Sequence, residues 1–550
     1  MCYNCRDKTN IVEVFVYGNF SMEGRYLVLR KFKATVSLLL AIALLSSVAG
    51  CGGNQQAANN SKDILVYAQG ADPRGLDPAM VDDGESAKVI VNVYETLVKY
   101  KEDSTEIEPG LATDWQMSPD GKEWVFNLRK GVKFHDGTDF NAEAVKFTID
   151  RQLPPQRTDD MPYASFTFGP VKEVQVLDTY KVKIILTEPY APFLANLAMA
   201  LAAPIVSPTA VEKYGEDFNN NPVGTGPYKF VKWDKGQQVV LEAFKDYWGD
   251  QPKTPKVVFK ITKENSVRAT ELMTGAADII DGVDPSDIKK LQESKMQVAM
   301  DAGMNINYMC FLCDKPPFNN AKMRQAVSYA INKDELVKAL YQDTAQVAPS
   351  ILPDFIPGFD ESLKGIPYDP QKAKQLLAEA GYPNGLEVNM ITYSNPRPYN
   401  AVGGEKLAAA VQSQLAKVGV KANIQPYPWK EYKDALFKAD GVNLAFYGWT
   451  GDNGDPDNFL SLLESKEIES TLNSAKYSNP QVDNLLVQAR QNLDANQRMV
   501  TYQQLQQIVE QEAPWVCISH GKTLSACGPN VANFKYHPTG VVHLWNVEKK

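Results

Sequence analysis

The chain is poor in the residues that build metal centres and disulfide frameworks, since only 4 of its 550 residues are histidine and 7 are cysteine. So few of either argue against a zinc site or a cross-linked scaffold. An excess of positive charge is also missing, because 57 basic side chains stand against 66 acidic ones and the formal net charge is −9. Binding to nucleic acid needs a basic surface, so nucleic acid is not expected as a partner.

Long apolar segments are missing too, with one exception near the amino terminus. Residues 34–49 form an uncharged run of apolar and small residues that follows Arg30, Lys31 and Lys33. This run is shorter than the roughly 20 residues that a transmembrane helix needs. A basic start, a short apolar core and a small-residue end are typical of a secretory signal, so residues 1–50 are predicted to be a signal peptide.

The end of this signal, Val48-Ala49-Gly50-Cys51, resembles a bacterial lipobox, in which the cysteine is lipidated and becomes the new amino terminus. An ordinary signal peptide without lipidation is the alternative. Residues 51–62 are rich in Gly, Asn, Gln and Ala, which predicts a flexible tether behind Cys51. Met22 would give the signal a normal short basic region and is a candidate for the true start.

The rest of the sequence mixes strand and helix patterns, which indicates an α/β fold. In the first half, residues 64–67 and 124–128 are predicted strands, and Asn141 is placed to cap a helix over residues 142–151. The second half is clearer and predicts strand 386–393, helix 404–418, strand 420–427, helix 430–438 and strand 442–449. This alternation predicts a doubly wound layer of strands.

Candidate binding residues follow the carboxyl ends of these three strands, where doubly wound sheets hold their ligands. Arg397 follows the first strand, Trp429 follows the second, and Trp449 and Asp452 stand at and beyond the third. One cation, two aromatic rings and one carboxylate are therefore expected at one end of one sheet. Such a set suits a ligand with a negative end, a positive end and apolar groups, for example a short peptide.

Several motifs in a fixed order give the chain a family resemblance over residues 63–546. They are LATDW at 111–115, SPDG at 118–121, LRKGVKFHDG at 128–137, NPVGTGPY at 221–228, RQAVSYA at 324–330 and GWTGDNGDPDNF at 448–459. Together they resemble family 5 of the extracellular solute-binding proteins of ABC importers, and the last motif is most similar to that of the dipeptide-binding members.

The resemblance implies a two-lobed periplasmic-binding-protein fold of type II, with an extra subdomain in lobe I and a ligand cleft between the lobes. Lobe I is expected to comprise residues 63–302 and 522–550, and lobe II residues 303–521. The chain would cross between the lobes near Gly303 and near Gly521. Two such crossings would form a hinge that closes over a ligand.

The resemblance also implies roles for the candidate residues. In dipeptide-binding members the aspartate of the last motif, here Asp452, holds the peptide ammonium. An arginine of an Arg-Pro-Tyr-Asn motif, here Arg397, holds the peptide carboxylate. Tyr399, Trp429 and Trp449 are expected to line the side-chain pockets.

The sequence therefore predicts a monomeric lipoprotein at the outer face of the bacterial cytoplasmic membrane that captures dipeptides or short oligopeptides. It would deliver them to an ABC permease and its ATPase, with no catalytic residue, cofactor or metal. Three alternatives stay open: a family member that binds nickel chelates or haem, a secreted hydrolase that uses Asp452 and Asp455 as acid and base, and a peptide-sensing receptor without transport.

Two expectations concern residues outside the binding set. Cys517 and Cys527 flank Gly521-Lys522, a predicted turn, so antiparallel pairing could bring the two thiols together as a disulfide in an exported protein. Buried free thiols are the alternative. Asp455 and Asp457 are expected to serve as turn residues in their Gly/Asp-rich loop.

Overall fold

A computed structural model of the protein describes residues 62–470 and 472–550. The predicted signal peptide, the candidate start Met22 and the candidate lipidation site Cys51 lie outside these residues. None of the described helices is both long enough and apolar enough to cross a membrane. The described chain is α/β, as the alternating patterns predicted.

Residues 62–302 combine many short strands with a few short helices. The strands are Ile64–Gln69, Val98–Tyr100, Ile107–Pro109, Ala112–Met117, Glu123–Leu128, Val171–Asp178, Lys181–Leu186, Tyr228–Asp234, Gln238–Ala243, Lys256–Ile261, Ile279–Asp281 and Gln297–Ala302. The α-helices are Gly84–Val93, Ala142–Asp150, Ala164–Phe168, Phe193–Leu197, Pro208–Tyr214, Asn265–Thr274 and Ile288–Glu293. Short 3₁₀ turns cover Gly215–Asn220 and Pro285–Asp287.

Residues 303–550 contain longer helices. The strands are Asn305–Phe311, Ala345–Val347, Leu386–Tyr393, Val420–Tyr427, Leu444–Thr450, Trp515–Cys527, Val531–Ala532 and Glu548–Lys549. The α-helices are Ala321–Tyr329, Lys333–Tyr341, Pro370–Glu379, Gly404–Ala416, Trp429–Lys438, Asp457–Leu460, Glu467–Ser470, Pro480–Gln491 and Ala495–Glu512, and Ser461–Leu463 is a 3₁₀ turn.

A twelve-stranded sheet contains the layer that the sequence predicted. Leu386–Tyr393 lies between Val420–Tyr427 and Leu444–Thr450 and pairs with both of them in parallel. The helix Gly404–Ala416 connects the first two strands and packs its buried face on them. The carboxyl ends of the three strands therefore lie at the same edge of the sheet, as predicted.

Capping side chains account for several helix starts that the sequence predicted. The Asn141 side chain accepts hydrogen bonds from the backbone N–H groups of Glu143 and Ala144. The Asn332 side chain caps the helix Lys333–Tyr341 in the same way. Each cap satisfies backbone donors that have no partner within the helix, which fixes where the helix begins.

A separate four-stranded antiparallel sheet is the extra subdomain that the fold class implies. Its strand order is Ala112–Met117, Glu123–Leu128, Lys181–Leu186 and Val171–Asp178. Buried and half-buried side chains alternate along the two central strands, so one face of the sheet packs into a core of its own.

The strand Trp515–Cys527 joins the two parts of the large sheet. Its first residues pair with Asn305–Phe311 and its last residues with Gln297–Ala302. Gly521 and Lys522 lie within this strand, so the predicted turn is wrong, because neighbouring strands pair with the segment on both sides of Gly521.

The cysteines of this strand are consequently too far apart to bond. Cys517 lies near its start and Cys527 at its end, and both thiols are free. The proposed disulfide is therefore wrong, and the alternative of free thiols is the one that the structure contains.

The buried apolar side chains fall into separate cores. One core draws only on residues 304–518, and the other three draw on residues 65–291 and 524–547. The polypeptide passes between these two groups of cores twice, once before residue 304 and once after residue 518.

Candidate functional site

The loop after the strand Leu444–Thr450 fixes the orientation of the Asp452 carboxylate. Its Oδ1 accepts a hydrogen bond from the hydroxyl of Tyr163 at 2.9 Å, and its Oδ2 accepts one from Asn458 Nδ2 at 3.1 Å. The Asn458 side-chain oxygen accepts hydrogen bonds from the backbone N–H of Asp452 and from the indole N–H of Trp449. Asn458 thus ties two predicted site residues together.

Asp452 has no cationic partner among the residues that the structure describes. Its desolvation raises its pKa from 3.8 to about 6, and the hydrogen bonds from Tyr163 and Asn458 offset only part of this shift. The carboxylate is therefore mainly ionised at neutral pH. Because a desolvated charge without a counter-ion is costly, Asp452 is a favourable place for the cationic group of a ligand.

The two other aspartates of the loop already have partners. Both carboxylate oxygens of Asp455 accept hydrogen bonds from Arg498, at 2.6 and 2.7 Å. Asp457 accepts hydrogen bonds from Arg490 Nε at 2.8 and 3.0 Å. Asp455 also accepts the backbone N–H of Asp457, so it shapes the turn as expected. Both oxygens of Asp455 are thus paired with Arg498, unlike those of Asp452.

A cavity of about 840 Å³ opens beside Asp452. Pockets of roughly 300–1,000 Å³ are usual for small ligands. Aromatic side chains from distant parts of the chain line it, namely Tyr163, Phe166, Tyr190 and Trp449. Among the charged side chains that line it, five carboxylates outnumber two cations; these are Asp82, Glu188, Asp452, Asp457 and Glu467 against Lys466 and Arg490. The charge of the wall favours a ligand with a positive group.

Arg397 lies on an aromatic stack. Its guanidinium carbon is 3.9 Å from the centre of the Trp429 ring, and that ring stacks on Tyr447 with a centroid separation of 5.6 Å. The buried Nε of Arg397 has no hydrogen-bond partner among the described residues. No carboxylate of the described residues pairs with this guanidinium, so its terminal nitrogens can donate to an anionic group such as a carboxylate.

The structure brings the predicted residues together in two groups. Trp449 and Asp452 line the cavity, whereas Arg397 and Trp429 form the stack and are not part of the cavity wall. Tyr399 is buried in the aromatic cluster beside the stack, with its ring edge-on to Tyr393. Both groups follow the carboxyl ends of the predicted parallel strands.

Sequence reasoning missed Tyr163 and Asn458. Tyr163 lies 289 residues before Asp452 in the chain, so no local pattern could connect the two. Asn458 stands only six residues after Asp452, in the same motif. A short amide in a Gly/Asp-rich loop commonly bonds to nearby backbone, and this tendency could have drawn attention to Asn458.

Comparisons with known proteins give one consistent result. Residues 106–470 match the bacterial extracellular solute-binding proteins, family 5 Middle. Heme-binding protein A of Haemophilus influenzae is 35% identical over 94% of this chain and 99% of its own length. The dipeptide-binding protein of Escherichia coli is 36% identical over 89% of this chain and 95% of its own length. The structure of HbpA2 from Haemophilus parasuis has a TM-score of 0.81 and 31% identity, and covers 88% of this chain and 100% of that chain. The predicted fold class is thereby confirmed.

Proposed function

Because this chain belongs to family 5 of the bacterial extracellular solute-binding proteins, we propose that it captures dipeptides or short oligopeptides and delivers them to an ABC permease and its ATPase. Members of this family are the substrate-binding proteins of ABC transporters, and these binding proteins are not enzymes. Capture, lobe closure and docking on the permease would make up the whole cycle, with no bond broken.

The observation that carries this proposal is the state of Asp452. A desolvated carboxylate without a cation faces a cavity whose wall is acidic and partly aromatic. The α-ammonium of a peptide supplies the missing positive charge and donates hydrogen bonds to the same oxygens. Aromatic rings such as Trp449 can contact the first side chain of the peptide without requiring a particular residue there.

In this proposal Arg397 binds the peptide carboxylate, while Trp429, Trp449 and Tyr399 contact its side chains. An arginine is suited to the task because its planar guanidinium can give a carboxylate two parallel hydrogen bonds. A ligand held at both ends must reach from the cavity beside Asp452 to the aromatic stack under Arg397. A fixed distance between the two anchors would discriminate between peptides of different length.

We further propose lobes that comprise residues 63–302 with 522–550, and residues 303–521. The separation of the hydrophobic cores supports this division. For the cellular setting we propose export through the signal of residues 1–50, lipidation at Cys51 and a tethered monomer at the outer face of the membrane. Cleavage and acylation would be tested by mass spectrometry of the protein extracted from membranes.

Haem is the second candidate ligand, because heme-binding protein A is so similar over almost the whole chain. Haem carries two propionate carboxylates, and the excess of carboxylates around the cavity opposes their entry. Within the described part of the chain, no cluster of three or more His, Cys, Asp or Glu side chains is arranged to hold a metal ion.

Calorimetry with alanyl-leucine, N-acetyl-alanyl-leucine and haem tests the proposal on the purified protein. We expect alanyl-leucine to bind at least tenfold more tightly than its acetylated form, because acetylation removes the charge that Asp452 would pair with. Binding of haem without binding of any short peptide would overturn the proposal in favour of the second candidate.

Two further measurements separate the remaining alternatives. Recovery of intact peptide after long incubation would exclude a peptidase. Normal peptide uptake by cells that lack the gene would instead indicate a sensing receptor without a role in transport.

A further inference from the structure

Asn400 is the polar residue that anchors the loop carrying Arg397. Its backbone N–H donates to the carbonyl of Arg397 at 2.8 Å, and its own carbonyl accepts the N–H of Arg397 at 3.0 Å. Its side chain is fully buried, although residues 394–396 and Pro398 of the same loop are exposed. The position of the Arg397 backbone therefore depends on how firmly Asn400 is held.

A line of buried hydrogen bonds connects Asn400 to the central strands of the large sheet. Asn307 Nδ2 donates to Ser519 Oγ at 3.3 Å and to the hydroxyl of Tyr341 at 2.9 Å. The Tyr341 hydroxyl donates to Asn400 Oδ1 at 2.7 Å, and Asn400 Nδ2 donates to the hydroxyl of Tyr393 at 2.9 Å. All five side chains are buried.

The residue types of this line are those that its geometry requires. Asn400 accepts from Tyr341 and donates to Tyr393 at the same time, and its amide offers a separate oxygen and nitrogen for these two bonds. With the two backbone bonds, all four of its polar atoms are engaged. Each bond lies in a low-dielectric interior, where a lost partner is costly, so the line resists displacement of the loop.

The line also ends beside the stack that carries the guanidinium. The ring of Tyr393 lies edge-on to the ring of Trp429, with centroids 5.6 Å apart. Trp429 in turn lies under the guanidinium of Arg397. The backbone of Arg397 and the surface beneath its side chain are thus both set by contacts of Asn400 and Tyr393.

We propose that Asn400 and Tyr341 are positioning residues that hold Arg397 ready for the carboxyl-terminal group of a ligand. This inference rests on the proposed function, since it takes Arg397 as the anchor for the peptide carboxylate. Among the described residues, Tyr341 makes no hydrogen bond to Arg397 and does not line the cavity beside Asp452, so it would act through its bond to Asn400.

The test compares a peptide that has a free carboxylate with one that lacks it. Calorimetry with alanyl-leucine and with alanyl-leucine amide gives a carboxylate preference, defined as the Kd of the amide divided by the Kd of the acid. Tyr341→Phe removes one oxygen atom and keeps the ring. We expect it to lower the carboxylate preference by about twofold to tenfold and to leave the Kd of the amide unchanged.

Tyr432→Phe is the matched control. Tyr432 is also buried in the aromatic cluster and its hydroxyl donates to the carbonyl of Phe446, but it does not bond to Asn400. We expect this variant to keep the carboxylate preference of the unaltered protein. Asn400→Ala is a second variant, and its thermal midpoint would show whether it still folds.

The possible results lead to different conclusions. An equal loss of affinity for acid and amide in Tyr341→Phe would mean a general structural role and would overturn the inference, as would no change in either. If the unaltered protein bound the acid and the amide equally, Arg397 would not bind the peptide carboxylate. The positioning role of Asn400 and Tyr341 would then be overturned as well. An unaltered protein that binds neither these two peptides nor any other short peptide would overturn the proposed function itself.

Discussion

At the residue scale, the charge of Asp452 is the feature that a single substitution can test. Asp452→Asn keeps the size of the side chain and removes its charge. Because an ion pair at 4 Å near a protein surface contributes roughly 4 kcal/mol before desolvation, we expect affinity for alanyl-leucine to fall at least tenfold. Arg397→Ala should weaken binding by a similar factor.

The acetylated peptide supplies the control for this substitution. If Asp452 pairs with the ammonium, the Asn variant should bind alanyl-leucine and N-acetyl-alanyl-leucine with nearly equal affinity. A variant that still prefers the free amine to the same extent as the unaltered protein would contradict the assignment of Asp452.

The raised pKa of Asp452 predicts how binding depends on pH. An ammonium pairs with the ionised carboxylate, and the pKa of this carboxylate is about 6. The affinity should be highest near pH 7, because the α-ammonium of the peptide itself loses its proton with a pKa of about 8, and it should fall towards tenfold per pH unit well below pH 6. Calorimetry between about pH 5 and pH 7 would measure this acid limb, and Asp452→Asn should abolish it.

The raised pKa of Asp452 makes the stability of the unliganded protein change with pH in the opposite direction to its affinity for peptide. The folded state holds the proton of Asp452 more tightly than the unfolded state, where the pKa lies near 3.8. The contribution of this group to stability therefore falls as the pH rises through the interval between these two values. A bound ammonium would remove this cost, so peptide should raise the melting temperature more at neutral pH than at acidic pH.

At the element scale, the ion pair of Asp455 and Arg498 holds the loop that carries Asp452. Both side chains are buried, and the helix Ala495–Glu512 supplies the arginine. Arg498→Met should destabilise the fold by about 3–5 kcal/mol, because it leaves a buried carboxylate without its cation. Chemical denaturation measures this change.

An exposed ion pair offers the comparison for that prediction. Lys421 and Glu387 pair across neighbouring strands at the surface. Lys421→Met should leave the denaturation midpoint unchanged, since solvent screens such pairs. Equal midpoints for Arg498→Met and the unaltered protein would show that the buried pair is not what holds the loop.

The secondary structure of the doubly wound layer could be predicted because its signals are local. Strands Leu386–Tyr393 and Val420–Tyr427 begin and end where the sequence placed them. Alternating apolar residues mark both strands, and a glycine directly before each of them, Gly385 and Gly419, marks where it begins. The strand Trp515–Cys527 escaped prediction because Gly521-Lys522 has the composition of a turn, and only pairing with distant strands keeps the segment extended.

The candidate site likewise contains residues that the sequence could predict and residues that it could not. Asp452, Trp449, Trp429 and Arg397 could be named because each follows a predicted strand, and the carboxyl ends of parallel strands share one edge. Their partners could not, because contacts such as that of Tyr163 with Asp452 join residues that are far apart in the chain. Folding alone reveals which aspartates of the loop are already paired and which one is left for a ligand.

At the scale of the whole molecule, direct hydrogen bonds connect the two proposed lobes beside the cavity. The backbone N–H of Ala191 donates to the carbonyl of Arg490 at 2.7 Å. In the buried part of the same contact, Asn453 Nδ2 donates to Asn196 Oδ1 at 2.7 Å. If ligand binding depends on lobe closure, these bonds contribute to affinity without touching the ligand.

The crossing between the proposed lobes is close-packed at glycine. A Cβ atom at Gly303 would lie 2.2 Å from the carbonyl oxygen of Gly521, so a larger residue there must shift the backbone. The Asn305 side chain accepts the N–H of Gly521 at 2.8 Å and donates to its carbonyl at 2.9 Å. These bonds join the first chain crossing, near Gly303, to the second, at Gly521. Two crossings that lie side by side in this way can share one hinge axis.

Asn453→Asp tests whether the contact between the lobes contributes to closure. The substitution keeps the oxygen that accepts the backbone N–H of Asp455, so the turn retains its bond. It replaces the donor to Asn196 by a second acceptor, and Asn196 could turn its amide only by giving up its bond to the carbonyl of Phe166. We expect peptide affinity to fall about tenfold or more, because the closed form loses a buried hydrogen bond and gains an unpaired charge.

Small-angle scattering would measure closure directly. With peptide present, the Asn453→Asp protein should have a larger radius of gyration than the unaltered protein. Asn384→Asp, the same change at an exposed turn, should alter neither quantity, and a closed, tightly binding Asn453→Asp protein would mean that this contact does not control closure.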